Sequence, residues 1–381
     1  MYSTARTIRE TFTSLRRSSK ARHRDIAAQL GLSEGALIAA HVGVNPDASD
    51  VILHARRLRP EWPDIMATLE ALGEVMALTR NASCVHEKTG VYRHVSQQPQ
   101  PHLHPQQQPQ QQPQTGRVQG GEIDLRIFYP HWAHGFAVVE QTGQGLQQSL
   151  QFFGSQGTAI HKVFLQQHSN SQAFTRLVDR FADRSQSESW YPPAPVAPAS
   201  APLPRAPERP DTAIDVAGFR RAWQCLRDTE DFSGLLSRFA LTYTQALRLA
   251  DARFAEQLAT DDCQSLLQAA ATNGVPIRVL VGNPGMVQTH AGTIHKVATA
   301  GPWLNVLDAG FNLHLRVDHI ASAWVVKKPT VDGLVTSLEL FDEQGDTIAR
   351  FFGRRKPGQA EPCQWRILIE NLQPEPLPCG A

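Results

Sequence analysis

The chain carries two copies of one sequence pattern, and this duplication limits the folds it can adopt. Ser149–Gly157 returns as Ser337–Gly345, and Asp124–Ile127 returns as Asn312–Leu315, each 188 residues later. A third match, which begins at Arg80, has an offset of 202 residues, and a Gln/Pro-rich insertion in the first copy accounts for the difference. Solenoid repeats recur at periods of roughly 20–50 residues, so this longer spacing predicts a duplicated domain.

Each copy shows helical periodicity first and strand-like alternation afterwards. This order predicts an α+β fold in which each half has N-terminal helices followed by a mostly antiparallel β-sheet. In the first copy, helices are predicted within 4–42 and 64–72, and strands begin at Val75. In the second copy, helices within 219–250 precede strands that begin at Ile277.

Two segments of biased composition divide the chain. Residues 191–211 alternate Pro and Ala, which is typical of an extended linker, so the predicted repeats are 1–190 and 212–381. Residues 97–115 are rich in Gln and Pro and cannot bury enough apolar surface to order alone. A disordered loop is therefore predicted there.

Composition excludes several classes of protein. The five cysteines are scattered without CxxC spacing, which excludes a disulfide framework and a zinc site. The net charge of +1 gives no strong attraction to nucleic acid or to a membrane surface. No apolar run is long enough to cross a bilayer, and the basic N-terminus lacks the apolar stretch of a secretory signal. We therefore expect a cytoplasmic protein without membrane insertion.

The segment 25–37 resembles a helix-turn-helix, with Gly31 at the turn and Ser33 capping the second helix. DNA reading requires base-contacting side chains on that second helix, and Glu34, Gly35 and Ala36 are poor readers. An equivalent segment occurs in the second copy. The pattern favours a structural helical hairpin, and no specific nucleic-acid partner is expected.

Sequence motifs alone name no enzyme class. The chain has no Gly-rich phosphate loop, HExxH, GxSxG or paired CxxC motif. His102 and His104 lie in the Gln/Pro segment without a nearby carboxylate or cysteine, which favours a solvated segment over a metal site.

A more specific signal comes from a set of segments that occur in one order along the chain. They are Val85–Tyr92 and Asp124–Phe128 in the first copy, and Gly282–Gly285, Gly301–Asp308, Asn312–Arg316, Ala323–Thr330, Thr336–Phe341 and Lys356–Gly358 in the second. Together they closely resemble the hemin-degrading factor family, of the HmuS/HemS type of cytoplasmic hemin-handling proteins. The resemblance covers nearly the whole chain outside the Gln/Pro loop and the linker.

The resemblance implies an internally duplicated protein that binds hemin for heme-iron acquisition. Members either pass hemin to a heme oxygenase or open the porphyrin and release iron. The implied ligand is therefore heme (hemin), and the implied partners are a heme oxygenase or the cytoplasmic side of a heme importer. If this chain is an enzyme, its expected reaction is oxygenase-like ring opening with iron release.

The resemblance also implies site residues. An arginine that approaches the iron from the first half falls on Arg126, and cations that hold the propionates fall on Lys328 and Arg355. Propionates are carboxylates and take charge-assisted hydrogen bonds from such side chains, although surface solvation would equally explain them. The position of the family's axial histidine falls on Glu230.

This pocket departs from the family pattern at several positions. Besides Glu230, Ser233 replaces a nearby alternative histidine, Tyr243 a usual arginine, Phe352 a usual tyrosine and Leu280 a usual phenylalanine. A carboxylate is not a usual haem ligand. The alternative hypothesis is therefore a divergent, non-enzymatic member that has lost high-affinity heme binding and acts through protein partners.

Other residues could supply the iron ligand. His86 is the best alternative, and His290 lies near the corresponding region of the second copy, although each is also explained as an ordinary strand or loop histidine. Tyrosinate can bind ferric haem, which draws attention to Tyr243. It lies about three helical turns beyond Glu230, so simple ligand replacement is not expected.

Overall fold

The computed structural model describes residues 4–19, 21–45, 51–98, 114–186, 208–356 and 358–372. The described residues within 1–80, 87–201 and 283–288 form one compact unit, unit 1. Those within 81–86, 202–282 and 289–381 form unit 2. Most of the predicted loop and linker, with His102 and His104, therefore lies outside the described residues.

Unit 1 contains five helices among its described residues. They are α1 (Ala5–Ser18), α2 (His23–Gln29), α3 (Glu34–Ala39), α4 (Trp62–Thr68) and α5 (Ser171–Phe181), and short 3₁₀ turns span Leu69–Leu72 and Tyr129–His131. Its strands are β1 (Leu53–Leu58), β2 (Val75–Arg80), β3 (Cys84–Gly90), β4 (Ser96–Gln98), β5 (Thr115–Val118), β6 (Asp124–Phe128), β7 (His134–Thr142), β8 (Gly145–Phe153) and β9 (Ala159–Leu165). Both ends of the predicted loop 97–115 are thus strand residues, in β4 and β5.

Unit 2 repeats this order of helices and strands. Its described helices are α6 (Val216–Gln224), α7 (Asp231–Phe239), α8 (Tyr243–Leu249), α9 (Asp262–Thr272) and α10 (Cys363–Glu370), with 3₁₀ turns at Asp211–Ala213 and Val317–His319. Its strands are β10 (Ala255–Leu258), β11 (Ile277–Asn283), β12 (Met286–Gly292), β13 (Val297–Ala300), β14 (Trp303–Asp308), β15 (Phe311–Arg316), β16 (Ser322–Thr330), β17 (Gly333–Phe341) and β18 (Thr347–Gly353). None of the described helices is long and apolar enough to span a membrane.

The strand order is the same in both units. Unit 1 has one run in the order β1-β7-β8-β9-β2-β3 and another in the order β6-β5-β4. Unit 2 has the runs β10-β16-β17-β18-β11-β12 and β15-β14-β13, and β3 and β12 each contribute residues to both units. The hairpins β7-β8-β9 and β16-β17-β18 are antiparallel and share a register shift at the same place, Phe152/Phe153 and Leu340/Phe341. The predicted duplicated α+β fold is confirmed.

Period-two alternation lets the β16-β17-β18 sheet bury both of its faces. Leu338 and Leu340 of β17 pack with residues of α9 and α10 in one core. Val326 of β16 and Phe341 of β17 pack with residues of α6, α7 and α8 in another. Unit 1 likewise has one core with α1, α2 and α3 and a second with α4 and α5. Any charged side chain on the inner part of these faces must find its partners within the protein.

The helical hairpin that resembled a helix-turn-helix occurs in both units. Gly31 has a φ of +66° at the turn before α3, and the Ser33 hydroxyl accepts a hydrogen bond from the Ala36 backbone N–H, as predicted. In unit 2, Ala240 has a φ of +51°, and Thr242 caps α8 in the same way. All residues of α3 are buried, which is the packing of a structural hairpin.

Each unit is completed by a short segment from the other half of the sequence. In unit 2, the Asn81 amide donates to the backbone carbonyls of Gly282 and Ile348 at 3.2 and 2.8 Å. In unit 1, its counterpart Asn283 donates to the carbonyls of Arg80 and Ile160 at 2.9 and 2.8 Å. Neither half of the sequence therefore contains a whole unit.

This exchange predicts the behaviour of a nicked chain. Cleavage within residues 191–207, in the predicted linker, should leave two pieces that co-elute in size-exclusion chromatography under native conditions. They should separate in urea, because only unfolding releases segments 81–86 and 283–288 from their units. Two pieces that elute separately and remain folded without denaturant would contradict the exchange.

Candidate functional site

A cluster of polar side chains is buried in unit 2 between the β16-β17-β18 sheet and the helices α7 and α8. The Lys328 ammonium donates to the Tyr243 hydroxyl at 2.6 Å and to Glu339 Oε1 at 3.1 Å. The Ser337 hydroxyl also donates to Glu339 Oε1, at 2.8 Å, and Arg350 Nε lies 3.4 Å from Glu339 Oε2. We call these five residues the Lys328 cluster.

Aromatic rings determine which cation of the Lys328 cluster is accessible. The Lys328 ammonium lies 4.4 Å from the centre of the Phe232 ring and 5.3 Å from that of Tyr243, and its side chain is only 7% exposed. The Arg350 guanidinium lies 5.0 Å from the Tyr243 ring centre, and its side chain is 32% exposed. Both cations gain from the negative faces of these rings. Arg350 is therefore the cation that an external anion can reach.

The Lys328 cluster carries a surplus positive charge at neutral pH. Burial alone would raise the pKa of Glu339, but the charges of Lys328 and Arg350 outweigh burial and lower it to about 2. Burial raises the pKa of Tyr243, which keeps its phenol protonated. The attraction of Glu339 outweighs the desolvation of Lys328 and raises the pKa of that ammonium. Two cations thus share one carboxylate, and the phenol O–H remains a hydrogen-bond donor.

Unit 1 has polar residues at the same places in its fold. Glu34 begins α3 as Tyr243 begins α8, and Glu140 and Lys162 take the strand positions of Lys328 and Arg350. Glu34 pairs with both Lys162 and Arg80. These three residues form the Glu34 network. Glu140 pairs separately with Arg16 Nε at 2.6 Å and His23 Nε2 at 2.9 Å.

Two other sequence-predicted positions of unit 2, Arg355 and Glu230, lie nearer its surface. Arg355 Nη1 donates to Asp332 Oδ2 and to the Gln359 carbonyl, each at 3.3 Å, and is thereby held to the β16-β17 turn. Glu230 is exposed at the N-terminus of α7, where the helix dipole favours a carboxylate. The chain has no histidine between residues 169 and 289, so α6, α7 and α8 offer no imidazole.

His86 lies in a closed aromatic stack of unit 2. Its ring centre is 5.0 Å from that of Phe311, and His290 stacks on Phe311 at 3.8 Å. His86 is fully buried and His290 nearly so, so an iron ion could reach His86 only after rearrangement of this core. The stack favours a packing role. Among the described residues, no group of three or more His, Cys, Asp or Glu side chains is arranged to hold a metal ion.

Arg126 belongs to unit 1. It lies on β6, is exposed, and stands opposite Arg117 of β5 in the antiparallel register. Arg117 thus adds a second guanidinium group to this part of the β5-β6 pair. The other four sequence-predicted residues belong to unit 2, where Lys328 alone lies in the buried cluster.

Comparison with known proteins identifies the family to which this chain belongs. The sequence profile of the haemin-degrading HemS.ChuX domain matches residues 31–181 and again 240–372. The chain belongs to this family. It is 36% identical to the hemin transport protein HemS of Yersinia enterocolitica over 351 residues, and 34% identical to the hemin transport protein HmuS of Yersinia pestis over 349 residues. Each alignment covers 92% of both chains.

Two solved structures share this fold over nearly the whole chain. The structure of holo-PhuS, a heme-binding protein from Pseudomonas aeruginosa, matches with a TM-score of 0.86 and 39% identity over 97% of this chain and 99% of that one. ChuS, an E. coli heme oxygenase, matches with a TM-score of 0.78 and 32% identity over 96% and 99%. The predicted family is confirmed.

The structure shows one feature of the Lys328 cluster that sequence reasoning missed. The guanidinium of Arg350 lies over the ring of Tyr243. Arg350 and Glu339 escaped notice because each is a single charge within an apolar strand. Their position among residues that pack against α6, α7 and α8 was the available signal, since a charge there requires an internal partner.

The buried carboxylate predicts a specific dependence of stability on pH. Glu339→Gln should lower the free energy of unfolding at pH 7 by about 3 kcal/mol, because two cations lose their shared partner. A carboxyl whose pKa falls from 4.5 to about 2 on folding stabilises the fold above pH 4.5 and loses this effect as the pH falls towards 2. Urea unfolding should therefore show the difference from wild type shrinking across that window.

The control is Glu343→Gln, which alters an exposed carboxylate in the β17-β18 turn. It should change stability by no more than about 0.5 kcal/mol at any pH. A Glu339→Gln variant as stable as the control at pH 7 would show that Glu339 does not hold the cluster together.

Proposed function

We propose that this protein binds hemin through unit 2 and passes it on in cytoplasmic heme-iron acquisition. The observation that carries the proposal is the surplus positive charge of the Lys328 cluster, with the partly exposed Arg350 at its edge. The names of the relatives support the ligand, because they include hemin transport proteins, a heme-binding protein and a heme oxygenase.

The surplus positive charge of the Lys328 cluster is suited to binding the propionate carboxylates of hemin. A propionate at Arg350 would accept charge-assisted hydrogen bonds from the guanidinium, which are stronger than those between neutral groups. The Tyr243 O–H hydrogen-bonds Glu339 within the cluster and helps to hold that carboxylate in place. Lys328 lies too deep to take the first contact, and its role is to hold the Tyr243 hydroxyl and to balance Glu339. Arg355, held by Asp332, is a second cation for a propionate at the surface.

The iron of hemin would not receive an imidazole from the helices of unit 2. Glu230 stands at the family's axial position, and a carboxylate is not a usual haem ligand. Hemin held chiefly through its propionates and by apolar contact would leave faster than hemin with an imidazole bond. This suits a carrier that delivers hemin to an acceptor such as a heme oxygenase.

A hemin titration of the purified apoprotein tests this function. The wild-type protein should give a saturable Soret shift, and Arg350→Ala should weaken binding by about 10–150-fold, because a hydrogen bond to a charged group contributes about 1.5–3 kcal/mol. The matched control is Arg354→Ala, which removes an exposed neighbouring arginine and should bind hemin as the wild type does. Equal binding by both variants would remove Arg350 from the site. If the wild-type protein shows no saturable shift, the result would instead support the alternative hypothesis, a divergent protein that has lost high-affinity heme binding and acts through protein partners.

The ligand to iron can be tested at the family's axial position. Glu230→His should move the hemin spectrum towards an imidazole-ligated form and tighten binding, because it restores a neutral nitrogen donor at an exposed position. His86→Ala should leave the spectrum unchanged and reduce stability, because His86 packs in the core of unit 2. If His86→Ala abolishes the Soret shift, His86 is the iron ligand and the stack must open to admit hemin.

A further inference from the structure

Three polar side chains form a hydrogen-bonded chain in the core of unit 1. The Tyr92 hydroxyl lies 2.6 Å from His161 Nε2, and His161 Nδ1 lies 2.9 Å from the Thr79 hydroxyl. Thr79 and His161 face each other across β2 and β9, and Tyr92 lies two residues beyond the end of β3. All three residues are fully buried. We call them the Tyr92 triad.

The fold does not require polar groups at these three positions. Strands β11 and β12 follow β2 and β3 at an offset of 202 residues, and β18 follows β9 at an offset of 188. The counterparts of the triad in unit 2 are therefore Val281, Ile294 and Ala349, which are buried together in one apolar core. Burying polar groups costs free energy that apolar side chains do not incur. Packing alone thus gives no reason for the triad.

The hydrogen bonds determine where each proton of the triad lies. The Tyr92 O–H donates to His161 Nε2, so the ring proton of a neutral His161 is on Nδ1 and is donated to Thr79 Oγ1. Burial lowers the pKa of His161 to about 3, which keeps the imidazole neutral at pH 7. Burial also raises the pKa of Tyr92 well above its ordinary value, so the phenol keeps its proton. The triad therefore presents a phenol to a neutral base away from water.

Aromatic rings connect the Tyr92 triad to the rest of the core. The ring centre of His161 lies 6.2 Å from that of Tyr92 and 6.5 Å from that of Trp132. The ring centre of Trp132 in turn lies 6.3 Å from that of Trp62 and 5.8 Å from that of Tyr129. Electrons pass readily between aromatic side chains at such separations. If an indole of this group is oxidised, an electron from Tyr92 can therefore replace the lost one in short steps.

We propose that Tyr92 is a redox-active tyrosine, which donates one electron to a strong one-electron oxidant while its phenolic proton passes to His161 Nε2. The O–H bond breaks and an N–H bond forms, so the products are a neutral tyrosyl radical, an imidazolium and the reduced oxidant. The imidazolium keeps both hydrogen bonds, to the Tyr92 oxygen and to Thr79 Oγ1. Because the phenol and the base already lie within hydrogen-bond distance, the proton moves without a rearrangement of either side chain. This activity is independent of the proposed hemin binding.

Laser flash-quench oxidation of the purified apoprotein tests the proposal. Photogenerated tris(bipyridine)ruthenium(III) supplies the oxidant, and transient absorption together with freeze-trapped EPR detects tyrosyl radicals. The wild type should form a tyrosyl radical that decays slowly and with first-order kinetics, because burial prevents its coupling to a second radical. Tyr92→Phe should abolish this long-lived radical.

The matched control is Tyr129→Phe, which also removes one buried hydroxyl from the same core. Among the described residues, the Tyr129 hydroxyl has no hydrogen-bond partner, so no base is placed to take its proton. Tyr129→Phe should therefore keep the long-lived radical at the wild-type yield.

His161→Gln separates the base from the hydrogen bond. A glutamine carbonyl can accept the phenol hydrogen bond but is too weak a base to take the proton, so the radical yield should fall by about tenfold or more. A purely structural role of His161 would change stability and leave the radical yield unaffected. The proposal is overturned if the wild type forms no long-lived radical, or if Tyr92→Phe or a folded His161→Gln keeps the wild-type yield. If His161→Gln fails to fold, the comparison of Tyr92→Phe with Tyr129→Phe decides.

Discussion

Each sheet is covered on both faces, so the charged side chains on its inner parts have no contact with water. These side chains must therefore find their partners within the protein, in both units. In unit 2, the face of β16, β17 and β18 beneath α7 and α8 holds Lys328 and Glu339, and each reaches partners on neighbouring elements. In unit 1, Glu34 and Lys162 meet the same demand by pairing with each other. An unpaired charge at such a place would cost several kcal/mol, so these residues can change only in sets.

Because the fold is duplicated, comparing unit 1 with unit 2 shows which features are fixed by packing and which can change. The capped hairpin turn, the register shift and the two-faced core recur in both units, because each solves a problem of backbone geometry or burial. Beneath the helices, the matched pairs Glu34 and Tyr243, and Glu140 and Lys328, differ in charge, whereas Lys162 and Arg350 are both cations. The two units therefore share one backbone geometry but can carry different charges at the buried polar positions beneath the helices.

Much of the fold could be predicted from the sequence, because alternation and capping are local properties. Gly31 and Ser33 predicted the hairpin, and the repeated strand segments predicted the duplicated sheets. The edge strands β1 and β10 and the helix α9 went unassigned, since the short edge strands carry weak alternation. The site was harder to predict. Periodicity shows which face a residue occupies, but the pairing of Arg350 with Tyr243 joins a strand to a helix about a hundred residues earlier and depends on tertiary contact.

The exchange of segments 81–86 and 283–288 also sets the order in which the chain can finish folding during synthesis. Unit 1 lacks its final segment until residue 288 has left the ribosome, although the rest of its described residues end at 186. At about 5–20 residues per second, this delay is on the order of ten seconds. Over that interval Asn283 is not there to satisfy the carbonyls of Arg80 and Ile160. The nascent first half is thus an unfinished unit, and its completion is coupled to the synthesis of the second.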